Sequence, residues 1–305
     1  MSLPPTAPLP TASLPTAPLL TANDIARFRE DGYVMLPGLV DAGAVTAMQA
    51  ELDRWIEESR GHTANWGELP RGKLRFDLEA GHSAVNPKLR RVANPVDLSA
   101  AYRRVLWDGP VVDQVAALIG PAIKFHHCKL NVKLPGMETY VGWHQDHPFD
   151  PHTNDDVVGA LVLLDDMNLE NGCLMVVPGS HKQPMTHYRG DRFVGEAPAE
   201  AHADFAARAI PILGRAGDVC LIDTWMAHGS APNRSTRPRR MLICDYTAAD
   251  AFPLMPLSVP TVNTGRILRG EPTRIARFRA GTVELPPAYQ ADSFFTVQGQ
   301  QTAAA

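Results

Sequence analysis

The chain has no hydrophobic run approaching the roughly 18 residues that cross a bilayer as a helix, which argues against a helical membrane protein. It also has little net charge. Lys and Arg total 29 against 33 Asp and Glu, leaving −4, no electrostatic footprint for nucleic acid or an anionic membrane. Cysteine is scarce and scattered: Cys128, Cys173, Cys220 and Cys244 form no Cys-x-x-Cys pair. Each lies in or beside an apolar run, where a reduced thiol behaves as a small hydrophobe. Nothing directs the chain to an oxidising compartment, so reduced cysteines and a cytoplasmic location are expected. Charge is missing altogether from residues 1–20, where Leu-Pro-Thr-Ala recurs. With no basic start, no long apolar stretch and no Arg, this is a poor signal or transit peptide. It predicts a disordered, polyproline-leaning tail.

What is present is ordinary globular material, 45% hydrophobic and 20% charged in 305 residues. Length alone would predict about two domains; the pattern predicts one, over residues 21–305. Thr21 with Asp24 offers a capping pair for a short helix carrying Ile25 and Phe28 and stopping at Gly32. Val45, Met48, Leu52, Trp55 and Ile56 recur at three- and four-residue steps and predict a helix from about 41 to 59. Two more helices are expected, at about 98–107 and 110–119. After Gly120 the period changes to short apolar runs bounded by turn residues such as Pro135-Gly136, Asn171-Gly172 and Gly217-Asp218. A mainly β fold with flanking helices follows, a sandwich or barrel. The polar stretch 181–208 is long enough to be an active-site loop.

The chemistry concentrates in a few positions. His144-Gln145-Asp146 falls in an expected strand, where alternation puts His144 and Asp146 on one face. The same spacing at His202 and Asp204 lies in an Ala-rich helical segment, whose geometry splays the two apart. His228 follows 82 residues after Asp146. Two imidazoles and a carboxylate with open positions left over suit non-haem Fe(II); zinc accepts the same ligand types, which leaves a hydrolytic zinc site open. Arg239, 11 residues past His228 at the start of an expected strand, could clamp a second carboxylate in a bidentate fork. Arg239 and Arg240 are adjacent, so only one can face inward; Arg234, Arg237 and Arg240 read as a solvated basic turn.

WHQD, ENGCLMVVPGSH, GDVCLIDTWMAHGSAPN and the trailing Arg239, in this order, resemble the phytanoyl-CoA dioxygenase family. The resemblance runs from Thr21 to about Ala251. It implies a double-stranded β-helix, the cupin-like jelly roll, and dependence on Fe(II), 2-oxoglutarate and O2. It implies that His144, Asp146 and His228 hold iron. It further implies that Arg239, helped by the Ser230 hydroxyl, holds the distal carboxylate of 2-oxoglutarate. Asn131 matches a polar position near the co-substrate, and Lys129 shares its strand face. The retained Asp146 argues against the family's halogenases, which have Gly or Ala there. A tryptophan that lines the family's co-substrate pocket is replaced by Val162.

The expected reaction is hydroxylation of a small molecule with release of succinate and CO2. Desaturation, epimerisation or ring formation on the same iron, and a non-catalytic small-ligand-binding jelly roll, are the alternatives. Residues 142–150 with the 181–208 loop are the expected substrate walls, with His147, Phe149 and His152 as candidates. The substrate is expected to be a free metabolite or an acyl-CoA; for the latter Arg71, Lys73, Arg75, Lys88, Arg90 and Arg91 could meet the phosphates. No nucleic-acid or membrane partner is expected, and the pattern does not address oligomeric state.

Overall fold

The computed structural model describes residues 19–279, 281–286 and 294–299; the expected tail over 1–18 lies outside them. Leu20 is already buried, its N–H donating to Gln114 Oε1 at 2.9 Å, so packing includes a residue before the expected start at Thr21.

Helix α1 (Ala22–Asp31) begins with the reciprocal Thr21/Asp24 capping box and ends at Gly32. Gly32 has φ +84°, and a Cβ there would meet the His181 ring at 2.5 Å, so glycine is required twice over. Strand β1 (Tyr33–Leu36) leads to α2 (Ala42–Ser59), which buries the Val45, Met48, Leu52 and Trp55 stripe. Strands β2 (Trp66–Leu69), β3 (Lys73–Leu78) and β4 (Leu89–Ala93) form a meander. The expected helix over 98–107 is instead a four-residue turn, α3 (Ala100–Arg103), running into a π-helical turn at Arg104–Asp108, before α4 (Pro110–Ile119).

Beyond it run β5 (Ile123–Lys133), β6 (Val141–His144), β7 (Val157–Leu163), β8 (Met175–Val176), β9 (Tyr188–Arg189), β10 (Arg192–Phe193), helix α5 (His202–Arg208), β11 (Ile210–Pro211), β12 (Val219–Asp223), β13 (His228–Ser230), β14 (Arg239–Ala248), β15 (Ile267–Arg269) and α6 (Phe294–Val297). Nine of these strands form one sheet in the order β1-β12-β7-β14-β5-β4-β3-β2, with β15 also on β5. Four short ones form a second sheet, β11-β8-β13-β6. This is the jelly roll that the motifs imply.

Strand alternation explains the layers. Ala160, Val162, Leu221, Leu242 and Cys244 face one way and pack on Met48, Leu52, Tyr102 and Val115 of the helices. Their neighbours Leu161, Leu163, Cys220, Ile222, Met241 and Ile243 face the other way, against Leu174 and Val176 under the small sheet. Truncating Leu52, fully buried in the helix layer, would cost about 2–5 kcal/mol. All four cysteines are buried and free. No described helix is long and apolar enough to cross a membrane.

Candidate iron and co-substrate site

The small sheet supplies two imidazoles. β13 pairs with β6 so that His228 lies opposite His144. Asp146 departs from the expectation: the strand stops at His144, and Asp146 has helical angles, φ −75° and ψ −35°, at the start of a turn through His147–Phe149. The carboxylate still reaches both rings, 3.4 Å from His144 Nε2 and 3.7 Å from His228 Nε2. Donor atoms of the three residues all lie within 4.8 Å of one another.

Gln145, fully buried between them, fixes this turn. Its amide donates to the Gln183 and Trp225 carbonyls at 3.1 and 2.7 Å, its Oε1 accepts from Met185 N at 2.9 Å, and its N–H donates to His187 Nε2 at 2.9 Å. The other ring nitrogens are also fixed: His144 Nδ1 faces Gly142 O and His228 Nδ1 faces Met226 O, both at 2.9 Å. A protonated Nδ1 on a backbone carbonyl leaves each Nε2 lone pair for a metal. Burial, reinforced by His144, pushes His228 down to about 4, so it is neutral, the ligating form. Burial alone would raise Asp146, but the Lys129 ammonium and the two imidazoles outweigh it and hold the carboxylate well below its usual range.

These three residues line one cavity together with Arg239, Ser230, Asn131 and Lys129. Arg239 faces inward and is 1% exposed, with Nε and Nη2 unpartnered. Burial pulls it down to about 10, still charged at neutral pH. Arg240 faces the other way and is held by Asp165 and Asp53, so it is a buried ion pair and not the solvated turn residue expected. Ser230 Oγ accepts from Lys133 Nζ at 2.7 Å, a buried lysine opposite Arg239 that sequence reasoning missed. Asn131 Oδ1 is buried without a partner. The donor set fits the groups implied: three residues that could hold a metal at one point of a cavity, and an orphaned guanidinium along its wall for a carboxylate.

Other expectations divide. Phe149 lies edge-on to His144 at 5.9 Å between ring centroids and lines the cavity, as does His147, stacked on Trp225; His152 does not. No residue of 181–208 lines it: that loop packs behind Gln145 instead, and Phe294, far past the motifs, closes the wall at 5.2 Å from His144. Val162 faces the helix layer and its neighbour Leu161 the cavity, so the missing tryptophan leaves no gap at Val162 itself. Of the basic residues considered for acyl-CoA, Arg75, Lys88, Arg90 and Arg91 are paired with Asp97, Glu79 and Asp77. His202 and Asp204 lie on α5, where Asp204 pairs with Arg208, away from any metal cluster.

Fold and site together define a class, the jelly-roll dioxygenases that depend on Fe(II), 2-oxoglutarate and O2. Within that class the phytanoyl-CoA dioxygenase (PhyH) family model matches residues 28–241, and the chain belongs to that family. A probable alpha-ketoglutarate-dependent hypophosphite dioxygenase of Stutzerimonas stutzeri is 34% identical over 185 residues, 59% of this chain and 64% of that one. An ectoine dioxygenase of Streptomyces avermitilis is 26% identical over 259 residues, 79% of this chain and 83% of that one. The crystal structure of EctD from S. alaskensis with bound Fe superposes with a TM-score of 0.64 at 24% identity, covering 83% of this chain and 88% of that one.

Proposed function

We propose that this chain hydroxylates a small free metabolite, coupled to conversion of 2-oxoglutarate to succinate and CO2, with His144, Asp146 and His228 holding the iron. The observation that carries the reading is the coincidence, in one cavity, of that donor triad and the unpartnered guanidinium of Arg239. When bound, the metal and its co-substrate supply the activation of dioxygen. The protein's part is placement. The triad fixes the metal, Arg239 would take the far carboxylate, Asn131 and Lys129 face the same space, and apolar walls at Leu161, Leu174 and Phe294 exclude water.

A free metabolite is favoured over an acyl-CoA because four of the six basic residues that could meet its phosphates are committed to carboxylates. Residues 21–305 would act as one catalytic domain, in the cytoplasm, where four unpaired buried thiols persist. Anaerobic addition of Fe(II) and then 2-oxoglutarate to the purified protein tests the reading. It should develop a weak visible charge-transfer band and, on admitting O2, release succinate. An Asp146→Ala protein that does both would overturn the ligand assignment.

A further inference from the structure

The proposed iron ligands leave a second group of polar side chains in the same cavity unexplained. In β5, Phe125 pairs with Tyr246 and His127 with Asp245, so His126 is an extra residue opposite β14. Such a bulge turns two consecutive side chains to one side. The result is visible in His126 Nδ1 and His127 Nδ1, 2.6 Å apart, with Asp245 Oδ2 at 3.3 Å from His127 Nε2. All three residues are at least nine-tenths buried. Yet His126 Nε2 and Asp245 Oδ1 have no hydrogen-bond partner, and His127 Nε2 has only the contact with Asp245 Oδ2. Two orphaned polar atoms and a third weakly held on one cavity wall are a costly arrangement unless a ligand completes them.

The place and the charge say which ligand. Arg239 and Asp245 are six residues apart on β14, about 20 Å along an extended strand. The group therefore lies at the end of the cavity opposite the proposed carboxylate clamp. Lys129, between the two ends on β5, lines the cavity and acts electrostatically on His126, His127 and Asp245 alike, whereas Arg91, also on the lining, is taken up by Asp77. Asp150 is already satisfied by the Ser258 hydroxyl and N–H. The Lys129 ammonium on this wall opposes a second metal ion and favours an anionic group.

Resting on the iron and 2-oxoglutarate reading, we propose that His126, His127 and Asp245, with Lys129, form the substrate-head subsite for a small oxyanion-bearing metabolite. Because the rings share one Nδ1–Nδ1 contact, two neutral imidazoles present one Nε2 donor and one acceptor. The acceptor, with Asp245 Oδ1, suits an N–H or O–H group close to the oxyanion. The hypophosphite relative acts on one such phosphorus oxyanion by its name.

The test uses the full chain with Fe(II) and 2-oxoglutarate. The charge-transfer band is read first, then O2-dependent succinate release with methylphosphonate, 2-aminoethylphosphonate, β-alanine or dimethyl methylphosphonate. Phosphonate or carboxylate probes should stimulate release by about tenfold or more, and the esterified phosphonate should not. Which acid works distinguishes phosphorus from carbon oxyanions. His127→Gln and Asp245→Asn should each raise the half-stimulating concentration by about tenfold. The inference fails if the band forms but no oxyanion stimulates, if the ester works as well as the acid, or if two metal ions bind per chain. An absent band overturns the iron reading and this subsite with it.

Discussion

His144 and His228 face each other across an antiparallel strand pair, ring centroids 4.1 Å apart, although 84 residues separate them in the chain. Neither strand holds Asp146, which stands on a turn pinned from behind by Gln145. The pin makes a prediction that removes none of the proposed ligands. Gln145→Leu frees the Gln183, Trp225 and Met185 backbone groups and loosens the turn. Fe(II) affinity should fall by about 10–100-fold, as for other groups that orient metal ligands. Equilibrium dialysis checks it; unchanged affinity would show that Asp146 needs no such support.

Arg239 offers two readouts of opposite sign. Without a carboxylate its guanidinium is buried and half unpartnered, so Arg239→Met should raise the melting temperature of the protein free of 2-oxoglutarate. Adding 2-oxoglutarate with Fe(II) under argon should raise the melting temperature of the wild type but not of the variant. Arg239→Lys keeps the charge and loses the fork. The charge-assisted bonds it forfeits are worth about 1.5–3 kcal/mol, so KM for 2-oxoglutarate should rise about 10–100-fold. A Lys variant with native KM would place the co-substrate elsewhere.

Asp223, at the end of β12, predicts a pH dependence of stability. Burial, with help from Asp155 and Asp156, pushes it up to about 7, above its ordinary value of 3.8. A carboxyl raised in this way binds its proton more tightly folded than unfolded. Its contribution is complete below about 3.8 and is lost as the pH climbs through about 7. Asp223→Asn does not titrate, so its melting temperature should match the wild type near pH 4 and exceed it near pH 8. A constant difference between the two proteins across that range would refute the assignment.

How far the sequence discloses this site follows from how local each feature is. Strand alternation is local, and it places Met241 and Leu242 on opposite layers. The clustering of the triad was legible because its residue types and order are distinctive, and the inward Arg239 through the family resemblance, since adjacency says that one of two arginines points inward but not which. The bulge at His126 was not, since register depends on the partner strand as much as on β5 itself. Nor was Gln145, whose value lies in three backbone partners from two distant loops. The 181–208 segment misled for a related reason: length and polarity mark a loop, but not the side of the site on which it packs.

Phe294 gives the most distant of these contacts a functional test. It lies more than 40 residues beyond the end of β14, on the short helix α6, and its ring meets both His144 at 5.2 Å and Phe149 at 5.4 Å. In a cavity whose chemistry depends on keeping water from a reactive centre, an apolar ring beside a proposed metal ligand acts as a seal. Because His144 is oriented by the Gly142 carbonyl and its strand partner, removing the ring should leave the ligand geometry standing. Phe294→Ala is therefore expected to retain Fe(II) binding while uncoupling the reaction, with severalfold more succinate released per molecule of product. The ratio can be measured by paired quantification of succinate and hydroxylated substrate. A variant that loses iron would make Phe294 a support for His144, whereas one with wild-type coupling would leave the ring no part in excluding water.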